Sequence, residues 1–173
     1  MLRLTILGLL CFLLAGCGQT ETEITQKRLI LDFSKKLVQL IKQNDALAYQ
    51  RIWVQRKDEF RDVNGRPLLI NIPVKEESIQ QPAEVKEGFE RGLASLTSCL
   101  NGNVRDIQVI RVEYLIEHGP VAVQTHFFEF EITLIVKLGD HSCEIFQPAC
   151  VQSQRGVVIG DYFIVSPITG SNR

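Results

Sequence analysis

The sequence predicts an α+β domain, with helices in its first half and an antiparallel sheet in its second. Three observations predict it. Apolar residues recur at helical spacing between about residues 25 and 100, the apolar period switches to two after Asn103, and turn residues separate the alternating runs. Residues 1–26, ahead of that domain, follow a different compositional logic.

Met1-Leu2-Arg3 supplies one positive charge, and Leu4 to Leu14 is apolar except for Thr5 and Gly8. A charged start, a short apolar core and small residues at its end describe a secretory signal peptide. A transmembrane helix needs about 20 apolar residues, and this run stops short of Gly18-Gln19-Thr20. A buried helix of a cytosolic fold would carry a polar face, which the stretch lacks.

An ordinary signal peptide has no use for a thiol at its end, yet Cys17 stands directly after Leu14-Ala15-Gly16. The four residues resemble the lipobox of bacterial lipoproteins at every position. The resemblance implies cleavage between Gly16 and Cys17, a diacylglycerol on the Cys17 sulfur and an acyl chain on the new amine. One chain holds a protein only marginally, at ~0.8 kcal/mol per buried methylene, whereas two or more anchor it stably. Gly18 follows where, in enteric-type bacteria, an aspartate tends to retain lipoproteins in the inner membrane. The resemblance therefore implies an outer-membrane anchor and a periplasm-facing domain. Residues 1–16 are read as signal peptide, 17–26 as lipidated cysteine and polar tether, 27–168 as one domain, and 169–173 as a tail.

Loss of residues 1–16 removes Arg3 and no acid, leaving 18 basic against 20 acidic side chains and a net charge of −2. That balance offers no footprint for nucleic acid. The length suits a single domain with a real core. Of five cysteines, Cys99, Cys143 and Cys150 remain once Cys11 leaves and Cys17 is acylated. An oxidising compartment favours a disulfide, and three thiols permit one bond without specifying which. No tight Cys or His spacing suggests zinc, and no metal or cofactor is expected.

Ile30, Phe33, Leu37, Leu40 and Ile41 form the stripe of a first helix from about Thr25 to Gln43. Asn44-Asp45 interrupts it, and Asp45 suits the cap of a second helix, with Tyr49, Ile52, Trp53 and Phe60 on one stripe. The charge run Gln55 to Glu59 reads as its solvated face. Asn64-Gly65 signals a turn, and Leu68 to Ile72, flanked by Pro67 and Pro73, suits a short hairpin strand at an edge. A third helix opens at Pro82 and buries Val85, Phe89, Leu93, Leu96 and Leu100 before Asn101-Gly102-Asn103 stops it. Gly88 and Gly92 each weaken it by ~1 kcal/mol relative to alanine.

Four strands are then predicted. Ile110 to Ile116 alternates and ends at His118-Gly119-Pro120, and Phe128 to Leu138 alternates more strictly, which fixes its register. Gly139-Asp140 turns into Cys143 to Val151, and Arg155-Gly156 turns into Val157 to Val165. Short turns make this an antiparallel meander whose apolar face the helices must cover. The order of three helices with a short hairpin, then a bent four-stranded meander, resembles the NTF2-like superfamily of the SnoaL and ketosteroid-isomerase type. A cystatin-like fold is the alternative, and it has fewer helices. The NTF2-like resemblance implies a cone-shaped fold with an apolar pocket between helices and sheet; no catalytic motif of that superfamily matches here.

Within such a pocket, His126 shares parity with Phe128 and Phe130 and is a candidate general base; a core or rim histidine is the bland reading. Asp161 shares parity with Ile159 and Phe163 as a candidate inward carboxylate, unless a bulge at Gly160 turns it outward. Tyr49 and Trp53, one helical turn apart, either line a pocket or pack a core. His118 and His141 fall in turns. No serine lies in a G-x-S-x-G context, and no phosphate-cradling glycine loop exists. Three functions are therefore expected: an envelope lipoprotein binding a protein partner or small apolar ligand without chemistry; a pocket enzyme of isomerase or hydrolase type; and an inhibitor or immunity-type lipoprotein that binds through the loop Asn71 to Gln81.

Overall fold

The computed structural model describes residues 21–53, 82–117, 129–153 and 156–168. Within them lie helices α1 (Glu21–Gln43), α2 (Ala46–Arg51) and α3 (Pro82–Leu100), and a 3-10 turn at Val104–Asp106. Five strands come after it: β1 (Gln108–Glu117), β2 (Glu129–Leu138), β3 (His141–Ser153), β4 (Gly156–Ile159) and β5 (Ile164–Pro167). The chain is α+β, with an antiparallel sheet, as its patterning predicts.

Helix α1 is described from Glu21 onward, so the segment read as tether is helical over its last six residues. Ile24 stays exposed, and among the described residues Ile30 is the first that is wholly buried. Ser34 is buried as well, its hydroxyl donating to the Ile30 carbonyl at 2.8 Å.

Two helices stop in the same way. Asn44 and Asn101 adopt positive φ, 53° and 50°. After α1, the Asn44 N–H donates to Ile41 and the Asp45 N–H to Leu40; after α3, the Asn101 N–H donates to Ser98 and the Gly102 N–H to Thr97. Both patterns are Schellman closures, and asparagine tolerates the left-handed conformation they require. A second polar side chain then caps the next element in each case. Asp45 accepts from the Ala48 N–H at 2.9 Å to open α2, and Asn103 accepts from the Arg105 N–H at 3.0 Å to open the 3-10 turn.

Helix α2 ends at Arg51, sooner than its apolar stripe predicts. Trp53 leaves the helix to form a parallel bridge with Ile159, and the Ile159 N–H donates to the Ile52 carbonyl at 2.8 Å. Sheet pairing thus overrides helical propensity at that point. The charge run 55–59, Phe60, the Asn64-Gly65 turn and the hairpin strand 68–72 lie outside the described residues.

The sheet runs β1-β2-β3, with β4 and β5 placed end to end along the far side of β3. The single strand expected from Val157 to Val165 is therefore two. The cause lies on β3, where Phe130 pairs with Cys150 but Ile132 pairs with Gln147, so one residue is extra. This β-bulge at Pro148-Ala149 bends the strand, with Ala149 at φ 50°. A bulge also accommodates proline, which cannot donate to a ladder, inside a central strand. Opposite it, the chain breaks at Gly160–Phe163, and the Gly160 N–H donates to the Ala149 carbonyl at 2.9 Å.

The stripes of α1 and α3 bury against the sheet's inner face, on Phe130, Ile132, Leu134, Val136, Cys143 and Ile145. Gly88 and Gly92 have a purpose in that packing. The Tyr162 ring occupies the space a side chain would take at Gly88, and a Cβ at Gly92 would lie 2.5 Å from Cζ of Phe163. The helix accepts two weak residues so that two rings can approach its backbone.

Candidate functional site

Aromatic side chains gather between the helices and the sheet. Tyr49 from α2, Phe89 from α3 and Phe163 from the β4–β5 break are buried together. Tyr49 lies 4.5 Å from Phe89 and 6.0 Å from Phe163, centroid to centroid, and Phe89 lies 5.9 Å from Phe163. Trp53 is 6.3 Å from Tyr49 and 4.7 Å from Tyr162. These spacings are those of tilted and edge-to-face ring packing. Tyr49 and Trp53 are core residues here, almost wholly buried among these rings. The groove the structure does show, about 440 Å³, lies on a flank of α1 along Ile24, Lys27, Arg28, Leu31, Asp32 and Lys35.

One polar group sits inside the cluster. Gln147 is wholly buried; its Nε2 donates to the carbonyls of Pro148 and Asp161, each at 2.9 Å. Its Oε1 accepts from the Tyr49 hydroxyl at 3.4 Å. Those two carbonyls belong to the bulge and to the break opposite it, so the side-chain amide supplies donors where the ladder is interrupted. Such a group is paired because leaving a buried carbonyl unpaired costs about 1–3 kcal/mol. Burial pushes the Tyr49 phenol far above its ordinary value, which keeps its proton in place for Gln147. Tyr162, at the cluster's edge, donates to the Glu84 carbonyl at 3.0 Å beneath Arg91, 6.0 Å above its ring. Burial raises its phenol too, against the lowering effect of the guanidinium.

Asp161 is not an inward carboxylate. Its side chain is exposed and accepts from the Tyr162 N–H at 2.7 Å, because the chain leaves the sheet at Gly160 and alternation no longer sets its direction. His126, Gly16 and Cys17 lie outside the described residues, as do His118 and the loop 71–81. Cys99 on α3 is bonded to Cys143 on β3, with their Cα atoms 6.4 Å apart. Cys150 is a free, buried thiol directed at the Gln147 and Pro148 carbonyls, and burial drives it well above its ordinary value, so it is inert as a nucleophile. Among the described residues no three His, Cys, Asp or Glu side chains gather to hold a metal, and no described helix is long and apolar enough to cross a membrane.

Gln147 escaped the sequence reading, although a signal was present. It shares parity with Cys143 and Ile145 on β3, so an amide was due to face inward immediately before a strand proline.

The outer sheet face is the remaining candidate. One cross-strand row reads Glu113, Thr133, Phe146, Ile164, and the next reads Arg111, Ile135, Glu144, Ser166. Leu115 lies opposite Glu131, and Glu117 opposite Glu129. Leu115 and Ile164 are 58% and 54% exposed, so apolar side chains stand among glutamates with solvent above them. No family model, curated protein or solved structure matches the chain.

Proposed function

We propose that the chain is a bacterial envelope lipoprotein, acylated at Cys17, whose NTF2-like domain faces the periplasm and binds a protein partner without chemistry. The observation that carries this reading is the aromatic packing between helices and sheet, where Tyr49, Phe89, Phe163 and Trp53 are buried against one another. The exposed Leu115 and Ile164, set among Glu113, Glu131 and Glu144, suit a partner with an apolar centre and basic surroundings. The Cys99–Cys143 disulfide fits an exported chain. Leu14-Ala15-Gly16-Cys17 supports the anchor, and Gly18 at the next position supports the outer membrane.

Cys17→Ser in the full-length chain is the test. The wild type should incorporate labelled palmitate and sediment with membranes, and the variant should do neither. Unchanged labelling of the variant would overturn the lipid anchor.

A further inference from the structure

Helix α1 carries two faces of different character. Ile30, Phe33, Leu37, Leu40 and Ile41 are buried in the core. Ile24, Lys27, Arg28, Leu31 and Lys35 follow at steps of three and four residues, which place them side by side on another face. They line the groove of about 440 Å³. Lys27, Arg28 and Lys35 are exposed, Ile24 is 55% exposed, and Leu31 is half-buried. Three cations in this groove stand against one acid, Asp32, which lies 3.2 Å from Lys35. Lys27 and Arg28 are outside that pair. The patch is thus basic on a chain whose formal net charge is −1.

We propose that this face of α1 lies on the bilayer surface, with its cations among anionic phospholipid headgroups. The inference rests on the acylation of Cys17, because the lipid is what brings the helix there. Cys17 precedes Glu21 by four residues, a reach of at most ~14 Å. Ile24 is three helical residues further on, ~4.5 Å along the axis. The first turns of α1 are therefore tied close to the membrane, where basic side chains are drawn to anionic lipid over roughly a Debye length, ~10 Å at 0.1 M salt. A link so short makes the second contact intramolecular, so a patch too weak to bind by itself is sufficient. Lysine and arginine stems lie along apolar surface while their heads reach outward, which lets Ile24 and Leu31 approach the acyl boundary beneath the phosphates. Since α1 packs on the inner face of the sheet, this orientation turns Leu115 and Ile164 on the outer face away from the bilayer. The lipid holds the chain, and the helix orients it.

The test uses the full-length acylated protein with one environment-sensitive fluorophore, on Ile24→Cys or on Leu115→Cys, reconstituted into vesicles and floated. Cys150 is buried and stays unlabelled, and retention of the Cys99–Cys143 bond shows each variant folded. Quenching by acrylamide is measured relative to the same chain in uncharged detergent. In vesicles mixing phosphatidylglycerol with phosphatidylcholine, the label at 24 should be quenched at least about threefold less than the label at 115. Adding Lys27→Glu and Arg28→Glu should make the two labels equal while the chain still floats, and vesicles of phosphatidylcholine alone should do the same. A chain that does not float overturns the acyl anchor and this inference with it. A chain that floats with both labels quenched alike in the anionic vesicles overturns this inference alone. So does protection at 24 that survives the charge reversal or the neutral lipid, since an apolar contact or a second copy would then be covering the helix.

Discussion

Gln147 shows how one side chain can hold together a place where the backbone ladder fails. Its amide answers the Pro148 and Asp161 carbonyls and receives the Tyr49 hydroxyl. Replacing it by leucine keeps the volume and removes the donor from both carbonyls, so Gln147→Leu should cost about 2–4 kcal/mol in chemical denaturation. Tyr49→Phe removes the longest of the three bonds, together with the hydroxyl's contact to the Phe163 backbone, and should cost about 1 kcal/mol. Equal losses from the two variants would mean that the hydroxyl, and not the bulge, is what the amide serves. Residues of this kind were partly legible. Tyr49 and Trp53 could be assigned to an apolar face from spacing alone, but whether that face was a pocket wall or a packed core depended on Phe89 and Phe163, which arrive from distant segments. The two glycines of α3 looked like defects until the rings of Tyr162 and Phe163 were seen against them.

At the scale of elements, helix ends were legible and sheet irregularities were not. Asn44-Asp45 and Asn101-Gly102-Asn103 stop their helices through bonds reaching only three to five residues back, and that short reach is written in the local sequence. The bulge on β3 depends instead on what β2 and the β4–β5 segment offer across the gap. Pro148 hinted at it, since a central strand tolerates proline only at such an irregularity, but the positive φ falls on Ala149. Alanine in the left-handed region is strained by roughly 1 kcal/mol, and glycine is not. Ala149→Gly should therefore stabilise the chain by up to about 1 kcal/mol, read as a higher denaturation midpoint with an unchanged slope. A loss of stability would place the strain elsewhere. The same long-range dependence ended α2 early: Trp53 continues the helical stripe in sequence, yet the Ile52 carbonyl is worth more as an acceptor for Ile159.

Across the whole molecule, the disulfide joins the C-terminal end of α3 to the start of β3, 44 residues further along the chain. Closing a loop of that length restricts the unfolded chain by about 4 kcal/mol in the chain-entropy account. Reduction, or Cys99→Ser with Cys143→Ser, should lower unfolding stability by about 2–4 kcal/mol. A reduced chain as stable as the oxidised one would show the bond to be incidental. The sequence by itself determined the α+β class, the helix boundaries at the two asparagines and the alternation of β2, because each rests on chemistry confined to a few consecutive residues. Only the tertiary structure decided which two of three cysteines join, that a single strand becomes two, that the aromatic stripe closes into a core, and that Asp161 faces water. Those outcomes turn on which distant groups compete for the same space and the same hydrogen bonds, and no local spacing records that competition.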